Sequence, residues 1–185
     1  YFVAKYGFSP QTQIVAWSGD NPCSLIGLGF LTPDKVGISL GTSDTVFRFL
    51  PELRLLPDAK GHIFGSPTGH YMSLVCFKNG SLAREDRIRD RYRLTWEDFS
   101  DLLRNSKPGN DGRVMLPYFE PEITPQVLNA GVRRYGLDES DAPGNVRGVV
   151  EVQAAAMALH ARWPGLETRA IDVTGGISVN REICQ

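Results

Sequence analysis

Val36-Gly37-Ile38-Ser39-Leu40-Gly41-Thr42-Ser43-Asp44-Thr45-Val46-Phe47 reads as a hairpin: an apolar strand over 36–40, a short polar turn, and a second strand over 45–50. The turn combines a glycine, which lets backbone N–H groups approach a ligand, with two hydroxyls. Those are the donors a phosphate needs. Outward from the hairpin, two more polar, glycine-bearing segments end apolar runs. Ser18-Gly19-Asp20-Asn21 follows residues 13–17, and Thr174-Gly175-Gly176-Ile177-Ser178-Val179-Asn180 follows residues 170–173.

Each segment has two readings. Asp20 stands past a strand and before a helix opening at Pro22. A carboxylate there can take a proton from a substrate hydroxyl, or it can simply cap the helix. Gly41-Thr42-Ser43 is a phosphate cradle or an ordinary hairpin turn. Gly175-Gly176 lets backbone approach a flat ligand, with Ser178 and Asn180 at the rim, or it is a tight strand-to-helix connection. Neither glycine turn is followed by Gly-Lys-Ser/Thr, and the spacing is not that of a dinucleotide fingerprint.

The rest of the chain bounds the fold. Its 185 residues, 42% hydrophobic and 22% charged, suit one globular domain. The net charge of −1 gives no electrostatic case for nucleic acid or an anionic membrane surface. No apolar run approaches the roughly 20 residues of a membrane span, and no signal peptide is visible. Cys23, Cys76 and Cys184 form no CxxC pair and read as buried, reduced thiols of a cytosolic protein. His62, His70 and His160 have no metal-like spacing. Asn79-Gly80-Ser81 fits a glycosylation sequon but reads as a turn.

Residues 13–17 predict a buried strand, and Pro22 to about residue 30 a helix. Strands are predicted over 62–64, 71–77, 114–118 and 170–173. The charge-dense segment 81–93 reads as a solvated helix with opposite charges at helical spacing. Thr95 caps a helix to about residue 105. Trp96, at its start, serves packing or stacks on a base. Residues 124–144 read as irregular. Over 145–163 an apolar stripe predicts a long helix, closed by Pro164-Gly165, and another helix opens at 179. The alternation argues α/β with a mixed sheet.

Trp17-Ser18-Gly19-Asp20-Asn21-Pro22-Cys23-Ser24-Leu25-Ile26-Gly27-Leu28-Gly29, followed by residues 36–47, resembles the C-terminal half of the FGGY carbohydrate kinases. Asp172-Val173-Thr174-Gly175-Gly176-Ile177-Ser178-Val179-Asn180-Arg181-Glu182-Ile183 resembles that family's adenosine motif. Phe77-Lys78-Asn79-Gly80-Ser81-Leu82-Ala83-Arg84-Glu85, Trp96-Glu97-Asp98-Phe99 and residues 120–125 place the resemblance nearest the family's eukaryotic xylulose kinase branch. Two local departures stand out: Gly148 inside the long helix, and a short stretch over 163–169 before the adenosine strand.

The resemblance implies the actin/hexokinase/Hsp70-like (ribonuclease H-like) ATPase fold, two α/β domains around a cleft. Residues 1–185 would be a partial C-terminal, nucleotide-binding domain, with the sugar-binding N-terminal domain absent. The absent initiating Met, and an end at Gln185 inside a helix, fit such a segment. It further implies a cytoplasmic enzyme that uses ATP and Mg²⁺ to phosphorylate D-xylulose. Kinases for glycerol, gluconate or ribulose, or a non-catalytic nucleotide-binding domain, are the alternatives. Carried over residue by residue, Asp20 is the catalytic base, and Asp20 with Asn21 contacts the sugar. Gly41, Thr42 and Ser43 hold phosphate. Gly175, Gly176, Asn180 and Trp96 contact the nucleotide.

Overall fold

The computed structural model describes residues 1–15, 18–55, 60–162 and 165–185. A short helix, α1 (Phe2–Tyr6), precedes α2 (Asp20–Gly27). The hairpin β1 (Lys35–Leu40) and β2 (Asp44–Leu50) follows, then β3 (His62–Gly65) and β4 (Tyr71–Phe77). A helical layer comes next: α3 (Ser81–Arg84), a π-helical turn (Glu85–Arg89) and α4 (Trp96–Asn105). The chain then forms β5 (Val114–Tyr118), β6 (Gly131–Tyr135), the long α5 (Ala142–His160), β7 (Ala170–Thr174), a 3₁₀ turn (Gly176–Val179) and α6 (Arg181–Cys184).

Five strands form one sheet in the order β3-β4-β2-β1-β7. Only β1 and β7 run parallel; the other pairs are antiparallel, so the sheet is mixed as expected. Alternation along the strands sends side chains to two cores. Phe47, Phe49, Met72 and Leu74 meet Leu25 of α2 and Phe30. Val36, Leu40, Val46, Val75 and Phe77 meet Met157 of α5 and Ile177. A third core joins α4, α5 and β5 through Phe99, Leu103, Met115, Val146 and Val149. Burial of each such side chain stabilises by about 1.5–3 kcal/mol before entropy is counted.

Several expectations are corrected. Residues 13–15 form no strand, and Ile14 and Val15 are 91% and 76% exposed, with no strand beside them among the described residues. Ala16 and Trp17, the end of that predicted strand, lie outside the described residues, as does Trp163 at the end of the predicted long helix. Asp20 does not cap α2: Gly19 is the N-cap and Asp20 is the first helical residue. Segment 81–93 is not a solvated helix, because Arg84 and Ile88 are buried. Gly131–Tyr135, inside the supposedly irregular 124–144, pairs with β5. The cysteines are free thiols, but Cys23 and Cys184 are exposed.

The long helix begins earlier than its apolar stripe, at Ala142, because Asp141 caps it by accepting from Gly144 N–H at 3.0 Å. Gly148 has a packing reason. A Cβ there would stand 3.4 Å from both Asn110 Nδ2 and Met115 Cβ, so α5 lies close over β5 and its preceding turn.

Candidate functional site

The parallel pairing of β1 with β7, in register Ser39↔Thr174, brings the C-terminal ends of the two strands together. Gly41-Thr42-Ser43 leaves the sheet there, and so does Gly175-Gly176. Between them lies a cavity of about 440 Å³. Gly41 and Thr42 line it from the first turn, Gly176 and Ile177 from the second, and Trp96 with Glu85 and Asp86 from the helical layer.

The two adjacent glycines do different things. Gly175 has φ +93° and ψ 170°, and a Cβ on it would stand 2.2 Å from the Leu40 carbonyl oxygen. Only glycine lets this turn pass so close to β1. A Cβ on Gly176 would meet nothing within 4 Å, so its open side is the cavity. Ser178 Oγ donates to Gly175 O at 2.7 Å and closes the turn. Asn180 does not line the cavity. Its Oδ1 accepts from the N–H groups of Glu182 and Ile183, capping α6, and its Nδ2 donates to Ser100 Oγ at 2.8 Å. An amide nitrogen carries a second hydrogen, which leaves capacity for another acceptor.

Trp96 is half-buried and held from two sides. The Arg89 guanidinium lies 4.8 Å from its ring centroid, and Phe99 meets it edge-on with centroids 5.3 Å apart. Glu85 reaches Arg89 at 3.5 Å, so the cation over the indole is itself paired. The indole thus presents a fixed surface to the cavity.

Behind the Gly41–Ser43 turn lies a buried polar network. The Gly41 carbonyl accepts from Ser81 N–H at 2.8 Å. A Cβ on Gly80 would stand 2.6 Å from Asp44 N and 2.9 Å from Gly41 O, so this glycine permits the close approach of the two loops. Arg84 donates two bonds to the Asp44 carboxylate, at 2.6 and 2.8 Å, with both side chains 1% exposed. Gln153 of α5 accepts from the same guanidinium at 2.7 Å and donates to Asn79 O and Gly80 O. Burial pushes the Asp44 carboxyl up from its ordinary pKa, against the pull of Arg84 and the Gly41 N–H.

Glu122 anchors the other end of the network. Its carboxylate accepts from the N–H groups of Lys78 and Asn79 and from Asn79 Nδ2. The sequence reading passed over this network. One signal was available: Gln153 is a polar residue set in the apolar stripe of a long helix, and buried polar side chains need partners.

Asp20 and Asn21 do not line the cavity. They sit at the start of α2, where Asp20 Oδ1 accepts from Asn21 N–H at 2.8 Å and from Asn21 Nδ2 at 3.2 Å. Oδ2 makes no hydrogen bond among the described residues, and the side chain is exposed. The carboxylate is therefore oriented through one oxygen and open at the other. Ser43 also lies outside the cavity lining.

No family model matches the chain. It is 40% identical over 196 residues to the xylulose kinase of Mus musculus, a match covering 100% of this chain and 34% of that protein. To xylulose kinase 2 of Arabidopsis thaliana it is 38% identical over 204 residues, covering 99% of this chain and 36% of the relative. The crystal structure of xylulose kinase from Bifidobacterium adolescentis matches with a TM-score of 0.75 at 29% identity, over 89% of this chain and 33% of that one. The chain spans about a third of the length of the curated relatives it matches. Over the whole of its own length, then, it is a homologue of the FGGY-type xylulose kinases, sugar kinases of the actin/hexokinase-like α/β fold.

Proposed function

We propose that the protein containing this chain is a cytoplasmic sugar kinase that transfers the γ-phosphoryl group of ATP to D-xylulose, giving D-xylulose 5-phosphate. One observation carries the reading. Gly41 and Thr42 of one glycine turn and Gly176 of another, at the ends of different strands, line a single cavity with Trp96, and the chain's relatives over this whole length are xylulose kinases.

In this reading the phosphates lie at Gly41-Thr42-Ser43, held by backbone N–H groups and hydroxyls. The nucleoside lies over Gly175-Gly176 and against Trp96, and Asn180, which caps α6 just after that turn, offers it the remaining amide hydrogen. Among the described residues no three acidic, histidine or cysteine side chains are grouped to hold a metal. In this reading Mg²⁺ enters as part of the substrate, MgATP, coordinated by phosphate oxygens and water.

Asp20 acts as general base. Its carboxylate takes the proton of the sugar's terminal hydroxyl, and that oxygen attacks the γ-phosphorus. The bond from phosphorus to the β–γ bridging oxygen breaks, and ADP leaves. Asn21 hydrogen-bonds the same sugar. Asp20 lies outside the nucleotide cavity, so the sugar sits between the two. An N-terminal domain outside these residues supplies its other contacts, and closure of the cleft excludes water.

The test is ADP release by the complete protein with MgATP and a panel of D-xylulose, D-ribulose, gluconate and glycerol. The highest kcat/KM is expected with D-xylulose. A clear preference for another polyol moves the protein to a different sugar. ATP binding by calorimetry with no sugar-dependent ADP release would leave a nucleotide-binding module and refute the kinase reading.

A further inference from the structure

The ion pair between Asp44 and Arg84 poses a question that stability does not answer. Both side chains are 1% exposed, and Arg84 Nε is buried without a partner among the described residues. Removing two charges from water offsets most of their attraction, and well-packed apolar residues of similar size often stabilise as much or more. Its place in the fold is informative instead. Asp44 closes the Gly41-Thr42-Ser43 turn. Neither Asp44 nor Arg84 lines the cavity, whereas Gly41 and Thr42 before Asp44, and Ser81 and Glu85 on either side of Arg84, all do.

We infer that Arg84, oriented by Gln153, is a positioning residue for the phosphate turn: it neutralises Asp44 behind the turn and locks Gly41-Thr42-Ser43 against the 79–81 loop in the shape that receives the nucleotide's phosphates. The inference rests on the nucleotide reading of the cavity. Two effects combine. The guanidinium fork fixes the Asp44 side chain through both oxygens, and Asp44 begins β2 directly after the turn. The same fork cancels a carboxylate charge that would otherwise face an incoming triphosphate from a buried site of low dielectric, with Glu122 adding to it. Gln153 holds the guanidinium through Oε1 and the Asn79 and Gly80 carbonyls through Nε2. The turn, the 79–81 loop and α5 therefore move together. The π-helical turn that follows Arg84 serves the same arrangement: Arg84 and Ile88 point into the protein while Glu85 and Asp86 line the cavity.

The test uses the complete protein, with MgATP affinity by calorimetry, KM for ATP and for D-xylulose, and a thermal melt of each variant. Arg84→Met is expected to raise the ATP Kd at least tenfold while the sugar KM changes less than twofold. Adding Asp44→Asn to Arg84→Met removes the stranded charge and is expected to recover at least threefold of the lost affinity. A merely structural pair predicts no such recovery. Should Arg84→Met melt below the assay temperature, Gln153→Leu is read in its place, with a three- to tenfold rise in ATP Kd expected. The inference is overturned if a folded Arg84→Met, or Gln153→Leu in its stead, binds ATP within twofold of wild type, or if the double variant binds no better than Arg84→Met. Wild-type protein that binds no MgATP overturns the nucleotide reading and this inference together; wild-type binding that the variants retain overturns this inference alone.

Discussion

Gly175→Ala is expected to destabilise the protein by on the order of 3 kcal/mol or more. The backbone at φ +93° and ψ 170° belongs to a region essentially confined to glycine. Holding another residue there is worth about 1–3 kcal/mol. The new Cβ would also stand 2.2 Å from the Leu40 carbonyl oxygen and 2.8 Å from its carbonyl carbon, where 3.4 Å begins ordinary contact. Both atoms are backbone, so no side chain can swing away. Relief requires the turn and the end of β7 to draw off from β1, opening hydrogen bonds that each contribute about 1 kcal/mol. In a cooperative unit of this size, 3 kcal/mol lowers Tm by roughly 6–12 °C. A thermal melt of the complete protein, with hydrogen exchange read over β7, measures this. A melt within about 2 °C of wild type, with unchanged exchange in β7, would refute the close-approach argument. Gly176→Ala is the control: with nothing within 4 Å of its Cβ, it should shift stability by less than about 0.5 kcal/mol.

Three further outcomes follow from the site and its supports. Asp20→Asn should lower kcat by about 10²–10⁴-fold, the usual contribution of a general base, with ATP Kd unchanged; retained turnover in the ADP-release assay removes Asp20 from that role. Gly176→Val should place its side chain in the cavity and raise the KM for ATP at least tenfold without loss of Tm, and normal ATP saturation would move the nucleoside elsewhere. Thr95→Ala should destabilise by about 1 kcal/mol, because Thr95 and Asp98 form a reciprocal capping box on α4. Hydrogen bonds from the Thr95 hydroxyl and N–H hold the Asp98 carboxyl below its ordinary pKa. A carboxyl lowered by folding stabilises above its unfolded pKa of about 3.9, and that contribution is lost as pH falls through the folded value. The gap in urea midpoint between wild type and Thr95→Ala should therefore narrow below about pH 4; a gap that widens there is inconsistent with the box.

Much of the scaffold was legible because it rests on local signals. The β1–β2 hairpin, the Thr95 cap and the stripe of α5 each announce themselves through periodicity or turn chemistry. The convergence of the two glycine turns was legible only through a family resemblance, since the parallel pairing of β1 with β7 joins residues more than a hundred positions apart. β6 escaped notice because Gly131-Val132-Arg133-Arg134-Tyr135 carries two arginines and is alternately exposed, as an edge strand of a two-stranded sheet can be. Arg84 was hidden in a run of charges whose other members are exposed or half-buried. Only its partner across the fold, Asp44, distinguishes it, and no local pattern predicts that contact. Residues 13–15 show the converse. An apolar run predicts a strand, yet a strand needs a neighbour, and none lies beside these residues among those described.

The register of β1 against β7 acts as a ruler. Adjacent strands stand about 4.8 Å apart and advance about 3.3 Å per residue. The offset between the two turns that end them is therefore set by which residues pair, Ser39 with Thr174, rather than by the turns themselves. One residue inserted into either strand would displace one turn by about 3.3 Å and reverse the faces of every side chain before it. The turn from residue 66 to 70, by contrast, can lengthen at little expense, since it enters neither strand. Among relatives of this chain, length variation should collect in such loops and be absent between residues 35 and 44, because in the proposed reading one nucleotide touches both turns and measures the distance between them.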